Sequence, residues 1–326
     1  MKQNSFEDRQ LIAAIDVGSN TIRLLIGYTE NNKIIRVFNS RAVTRLGKDI
    51  LQTSILNTDN INKSIDYLLK IRSMCEHYKV SEILAVGTSA LREAKNTQNF
   101  LEEVKLKTGF DIHIISGMRE AELTVKGVMS NFFPDDKIDP HPTRSYLIVD
   151  IGGGSTEWVF QNEIQAKGSI PIGAIKTYEN FIKSDPPSQN DIDRLKYHIY
   201  QVIADYDLTK CLQNNSFTED FNFVATGGTA TTIAAIDMGL DEYDGDRIHL
   251  HQISRPTLQL LFKQLITMPL RIRQTIKGLE PDRADIIITG LLILLCLMEI
   301  SKSNKTIVSD FGILEGLLHE RCNLRA

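Results

Sequence analysis

Cysteine is scarce in this chain, and so is any excess of charge. Only four cysteines occur in 326 residues, Cys75, Cys211, Cys296 and Cys322, and no two stand at the CxxC spacing of a metal or redox site. They read as reduced thiols, which excludes a disulfide-stapled scaffold and leads us to expect a cytoplasmic protein. Lys and Arg number 37 against 41 Asp and Glu, a net charge of −4, so no uniform basic surface is available for nucleic acid. Any polyanion must be met by a local cluster. Long apolar runs are missing too: the most hydrophobic stretch, Ile286 to Met298, is bounded by Asp285 and Glu299 and falls short of the ~20 residues that span a bilayer. A buried core helix is expected there, with no membrane association. The opening MKQNSFEDRQ is polar and leads to no small-residue cleavage site, so no secretory leader is expected.

What is present is apolar content of 42%, enough over this length for two domains with a core each. The most informative stretch is LIVDIGGGSTEWVF, Leu147 to Phe160. Its apolar run closes on Asp150, Gly152 to Gly154 force a tight turn, and a second apolar strand follows. Glycines leave backbone N–H groups unshielded, so such a turn can lie against phosphate oxygens, and the Asp can face the same ligand through a divalent cation. The N-terminal AAIDVGSNTIRLLIGY repeats the pattern with Asp16 and Gly18 at the same offset, 134 positions earlier (150 minus 16). Two α/β units, each opening with a strand-Asp-x-Gly turn, are therefore expected to face each other across a cleft.

Between these turns, alternation predicts three antiparallel strands over 11–46, a helix from Asn57 to Tyr78 with Thr58 as its N-cap, a strand at Ile83 to Val86, and a helix carrying Arg92. A helix over Asn99 to Lys107, the strand DIHIIS and a helix from Gly117 to Val128 follow. The proline-containing NFFPDDKIDPHPTR reads as a linker. The second half repeats the three strands, then gives helices at Ile192 to Ala204, after the glycine turn ATGGTATT, and at Leu258 to Ile266, Arg271 to Leu279 and Asp285 to Ile300. It closes with the strand TIVSDFG and a helix from Ile313.

The ordered set IDVGSNTIRLLI, VGTSALREAKN, ISGMREAEL, LIVDIGGGSTEWVF, VATGGTATT, RADIIITG and VSDFGILEG resembles the exopolyphosphatase and guanosine pentaphosphate phosphohydrolase family, from about Ile15 to Gly316. That family belongs to the actin, sugar kinase and Hsp70 ATPase superfamily. The resemblance implies an α/β chain of two actin-like (ribonuclease H-like) domains, each a mixed five-stranded sheet with helices. The first would comprise residues 1–127 plus 304–326 and the second 128–303, with the site in the cleft between them. It also implies a homodimer.

Hydrolysis of a phosphoanhydride needs a phosphate cradle, a cation, charge stabilisation and a positioned water. The cradle would be formed by Gly18, Ser19 and Asn20 on one lip and Gly152, Gly153, Gly154 and Ser155 on the other, with Gly227 and Gly228 at a third turn. The resemblance makes Glu120 the base that takes a proton from water and Arg92 a ligand of phosphate oxygens. Without it, Glu120 reads equally as a carboxylate favoured by a helix dipole and Arg92 as a solvated charge. Arg23 faces either the cleft or solvent, and Arg283 is the expected contact for the polyanion among the scattered basic residues of the second half. Asp150 and Glu157 are the expected Mg2+ pair, with Mn2+ as the alternative, and Asp16 and Asp310 stand behind them. His249 and His251 lack a third ligand and read as structural. One departure is visible: Leu314 stands where the family pattern has an Arg.

The expected substrate is inorganic polyphosphate, with guanosine pentaphosphate as the alternative. Two other classes remain open at this point: an ATP-using kinase or actin-like ATPase, which needs an adenosine pocket around Thr226 to Thr229, and a non-catalytic alarmone sensor.

Overall fold

The computed structural model describes residues 9–31, 33–131, 145–161, 166–206, 208–210 and 221–323. Most of the proline-containing segment read as a linker lies outside them. Two mixed sheets organise the chain. The first has the order β3-β2-β1-β4-β5, built from β1 (Ile12–Val17), β2 (Thr21–Glu30), β3 (Lys33–Val43), β4 (Glu82–Gly87) and β5 (Ile112–Ile114). The second has the order β10-β11-β9-β6-β7-β8, from β6 (Ser145–Ile151), β7 (Thr156–Gln161), β8 (Ala166–Ile170), β9 (Phe221–Thr226), β10 (Gln252–Ser254) and β11 (Lys305–Val308). The expected five strands hold in the first sheet; the second has six, with the short strand expected at the end of the polar loop 241–254 as its edge strand β10.

The helices are α1 (Ile50–Thr53), α2 (Thr58–His77), α3 (Ser89–Glu93), α4 (Thr97–Thr108), α5 (Gly117–Met129), α6 (Ala174–Phe181), α7 (Gln189–Asp205), α8 (Gly227–Asp237), α9 (Gly245–Ile248), α10 (Arg255–Thr267), α11 (Leu270–Arg273), α12 (Ile287–Ile300) and α13 (Ile313–Asn323). Three details differ from the sequence reading. Asn57, not Thr58, caps α2, because its Oδ1 accepts from the Asp59 backbone N–H at 2.9 Å. α6 is an additional helix. The run from Arg271 to Leu279 is helical only to Arg273, whose buried guanidinium donates to the carbonyls of Ala284 and Met268, and Gly278 takes a φ of 82°.

Strand alternation explains how both sheets are buried and where the two Asp residues point. In β1, Ala13, Ile15 and Val17 enter the core beneath α2 and α4, while Ile12 and Ala14 pack with α13. In β6, Leu147, Val149 and Ile151 enter the core around α12, while Tyr146 and Ile148 pack against α5. Asp16 and Asp150 follow the second set in each strand, so each closes the equivalent face of its own sheet. The apolar stretch expected as a core helix is α12, buried along nearly its whole length, and no helix among the described residues is long and apolar enough to cross a membrane.

The C-terminal α13 returns to pack on α5, β1 and β2. β11, which the expected boundary at residue 304 assigned to the first unit, instead pairs with β9 in the second sheet. Its four residues are the last the chain gives to that sheet before α13 crosses over.

Candidate active site

The two Asp turns have the same construction. Gly18 N donates to Thr21 O at 3.1 Å and Gly152 N donates to Ser155 O at 3.0 Å, so each hairpin is closed by the same bond. Across the hairpins, register pairs Asp16 with Arg23 and Asp150 with Glu157. The two lips touch: a Cβ on Gly154 would collide with Ser89 and lie 3.0 Å from Ser19 Oγ, so only glycine allows the close approach. A third turn leads from β9 into α8, where Gly227 has a φ of 81° and a Cβ would collide with Asp150 Oδ1.

These turns line one cleft. Its wall contains Gly18, Ser19, Asn20, Gly152, Gly153, Gly154, Ser155, Gly227 and Gly228, together with Asp16, Arg23, Glu120, Asp150 and Arg283. Nearly every residue proposed from sequence as a phosphate contact thus converges on one space, although the three turns are separated by more than a hundred positions at the widest. Arg23 faces this space and not solvent alone: its Nη2 and Nε donate to Asp16 Oδ2 at 2.6 and 3.0 Å. Arg283 Nη2 donates to Thr21 Oγ1 at 3.0 Å and its Nε to Glu280 Oε2 at 2.8 Å.

Glu120 sits in the first turn of α5, which is capped by Ser116. Arg92, on α3 after the β4 loop, donates through Nη1 to Glu120 Oε2 at 2.8 Å and to Ile115 O at 2.9 Å, and its Nη2 comes within 3.5 Å of Ser155 Oγ. Arg92 therefore stands behind Glu120 and is not itself part of the cleft wall. Glu157 is also behind the wall. It is 2% exposed and accepts from Ser169 Oγ at 2.7 Å, a partner given by the register of β7 with β8. The sequence reading missed Ser169, which the strand pairing would reveal once the third strand of the hairpin series is set in register.

The carboxyl groups are under electrostatic tension. Burial pushes Glu157 up to about 7, helped by the charge of Asp150 and opposed by the hydrogen bond from Ser169. Glu120 is held well above the carboxylate range by burial and by Glu157, against the pull of Arg92. Asp150 is raised by burial and by Asp16, against Arg23. A group poised near neutrality can accept a proton from water, and crowded carboxylates are relieved by a cation.

Asp16 Oδ1 is buried without a hydrogen-bond partner, and Asp16 and Asp150 share the cleft wall. Among the described residues no group of three His, Cys, Asp or Glu converges on one point. The donor set thus fits a hard cation that takes one or two carboxylates and completes its shell with water and phosphate oxygens, the habit of Mg2+. Asp310 does not line this cleft, and its carboxylate pairs with Arg36 at 2.6 Å. His249 and His251 take separate partners, Asn131 O at 3.3 Å and Asp237 at 2.7 Å. Several basic residues of the second half are paired with carboxylates: Lys167 with Glu122, Lys176 with Glu93 at 2.7 Å and Lys277 with Asp241 at 2.7 Å.

The chain is similar to several known proteins. The chain is 26% identical to exopolyphosphatase 2 of Mycobacterium tuberculosis, over 94% of this chain and 97% of that one. It is 29% identical to a bifunctional 3-dehydroquinate synthase/phosphatase of Fusobacterium nucleatum, of which it spans 47%. It is 26% identical to a guanosine-5'-triphosphate,3'-diphosphate pyrophosphatase of Vibrio atlanticus, of which it spans 59%. Among solved structures, an exopolyphosphatase from Cytophaga hutchinsonii superimposes with a TM-score of 0.85 at 26% identity, covering 96% of this chain and 98% of that one. A family member from Aquifex aeolicus gives 0.78 at 29% identity, covering 97% and 98%. The fold is the two-domain actin-like one of these neighbours, and the Ppx/GppA phosphatase family matches residues 25–324, so the chain belongs to that family.

Proposed function

We propose that this chain hydrolyses the terminal phosphoanhydride of inorganic polyphosphate, with guanosine pentaphosphate as the alternative substrate of the same chemistry. The observation that carries the reading is the pair of identically built glycine turns closed on one cleft, with the Glu120 carboxyl in the same wall. The backbone N–H groups of the turns would bind the terminal phosphoryl oxygens, with Arg23 and Arg283 at the margin. Glu120 would accept a proton as the water oxygen bonds to phosphorus and the bridging oxygen leaves with the shortened chain. Arg92 would fix the Glu120 carboxyl and limit the rise of its pKa. A Mg2+ ion, or Mn2+ as the alternative, would be held by Asp150 with Asp16, with Glu157 behind, and would neutralise phosphate charge.

The relatives that carry exopolyphosphatase and pyrophosphatase names support this reading. A kinase or ATPase reading is weakened because the Thr226 and Thr229 hydroxyls are consumed by Phe311 O at 2.7 Å and Ile151 O at 3.1 Å. A sensor reading leaves the crowded carboxylates without a purpose. The domain division belongs to the same proposal, with β11 moved to the second domain and α13 kept with the first. The implied homodimer is tested by light scattering of the purified chain. Phosphate release from polyphosphate and from guanosine pentaphosphate, with and without chelator, tests the activity; no release from either would overturn it.

A further inference from the structure

Two more cavities continue outward from the cleft. The first shares Arg23, Gly227, Gly228 and Arg283 with it and adds Arg36, Arg41, Tyr243, Asp310, Leu314 and Glu315. The second shares Arg36, Asn39 and Tyr243 with the first and ends at the loop from Asp241 to Arg247. A chain held by its terminal phosphate and leaving by this route passes from one cavity to the next.

The charge along that route is already spent. Arg36 bonds Asp310 and Glu315, each at 2.6 Å, and its guanidinium lies 3.7 Å over the Phe311 ring. Arg41 bonds Glu280 at 2.6 Å and lies 3.9 Å over the Tyr243 ring. Arg283 bonds the same Glu280 at 2.8 Å, and Arg23 is held by Asp16. Leu314, where the family pattern has an Arg, supplies no charge. No lysine lines any of the three cavities among the described residues. At the outer end Glu242, Asp244 and Asp246 stand against Arg36 and Arg247, while Asp241 is paired with Lys277 at 2.7 Å.

We infer that this route selects short substrates: the site accepts a terminal phosphate with a few units behind it and disfavours long polyphosphate, every unit of which is anionic. The inference rests on the phosphoanhydride-hydrolase reading of the inner cleft and assigns the selection to Glu242 and Asp246. Guanidinium groups already bonded to carboxylates offer a polyanion little net attraction, and rim carboxylates repel whatever extends past them. Both rim residues are exposed and lie outside the catalytic cleft, so replacing them leaves the inner site intact.

The test compares kcat/KM per chain end on tetrapolyphosphate and on chains of hundreds of phosphates, for the wild type and for the double variant Glu242→Gln, Asp246→Asn. At low salt the wild type should prefer the short substrate by roughly tenfold or more, and the variant should recover most of that loss on long chains while changing the short-chain value by less than about twofold. Equal wild-type values on short and long chains, or a variant with no gain on long chains, would overturn the inference and leave the hydrolase reading standing. Absence of release from every chain would overturn that reading, and the inference with it.

Discussion

Replacing Glu157 by Gln should stabilise the protein at neutral and alkaline pH and do little in acid. The carboxyl is 2% exposed, and its pKa is moved from 4.5 to about 7 by burial and by Asp150. A raised carboxyl favours the folded state in its neutral form. That contribution is complete below pH 4.5 and is lost as pH rises through about 7. At ~1.4 kcal/mol per pH unit, the change amounts to about 3 kcal/mol. Gln keeps the shape and an acceptor for Ser169 Oγ but cannot ionise, so it escapes the cost. Glu120 adds to the effect, because the Glu157 charge is one of the forces that raise it.

The measurement is thermal unfolding of both proteins from pH 4.5 to 8.5 in chelator. The gap in Tm should open with pH and reach roughly 5–10 °C, at 2–4 °C per kcal/mol for a domain of this size. Added Mg2+ should narrow it, since a cation at Asp150 offsets the repulsion that raises Glu157. A gap of the same size at pH 5 and pH 8, or one that widens toward acid, would refute the electrostatic argument.

Glu120→Gln should lower kcat by about 10²–10⁴-fold with the melting temperature retained, the span expected for loss of a general base; phosphate-release rates alongside circular dichroism check both halves. Arg92→Ala should move the acidic limb of the kcat/KM profile to higher pH, because the guanidinium that holds the Glu120 pKa down is gone; a limb that moves to lower pH would contradict the assigned pairing. Gly227→Ala should cost at least about 1–3 kcal/mol in urea unfolding, since it strains a positive-φ position and drives a methyl into Asp150; a variant as stable and active as the wild type would mean that the third turn does not press on the metal side of the cleft.

Local features of this molecule could be read from the sequence because they depend on neighbours in the chain. Alternation placed Asp16 and Asp150 at strand ends, and the helical period placed Arg92 and Glu120 on helices. Features that depend on remote partners could not. Arg36 meets Asp310 and Glu315, Arg41 meets Glu280, and Arg45 bonds Asp285 at 2.7 Å, all across more than two hundred positions. Nothing in the spacing of β3 announces that its arginines cross to the second half. The expected helix to Leu279 failed for the same reason, since the buried Arg273 answers to the carbonyl of Ala284 and not to its own helical period. The missed α6 begins on Gly173 with no side-chain cap, so no residue there signals a start.

The deepest regularity and its breakage were both in the sequence, seven positions after each Asp. Residue 23 is Arg and residue 157 is Glu, and hairpin register sets each directly across from its Asp. On the first lip the acid is matched by a cation, which leaves Asp16 with one oxygen bonded and one bare. On the second lip acid faces acid: burial raises both carboxyls, and the charge of Asp150 adds to the rise of Glu157. Two turns of one construction therefore do different electrostatic work. On the proposed reading the first would offer a guanidinium to phosphate oxygens, and the second a crowded carboxylate pair that a proton or a divalent cation would relieve. Exchange of the partners, Arg23→Glu with Glu157→Arg, would preserve the charge count while reversing that division, and the geometry of the lips alone would then be insufficient for turnover.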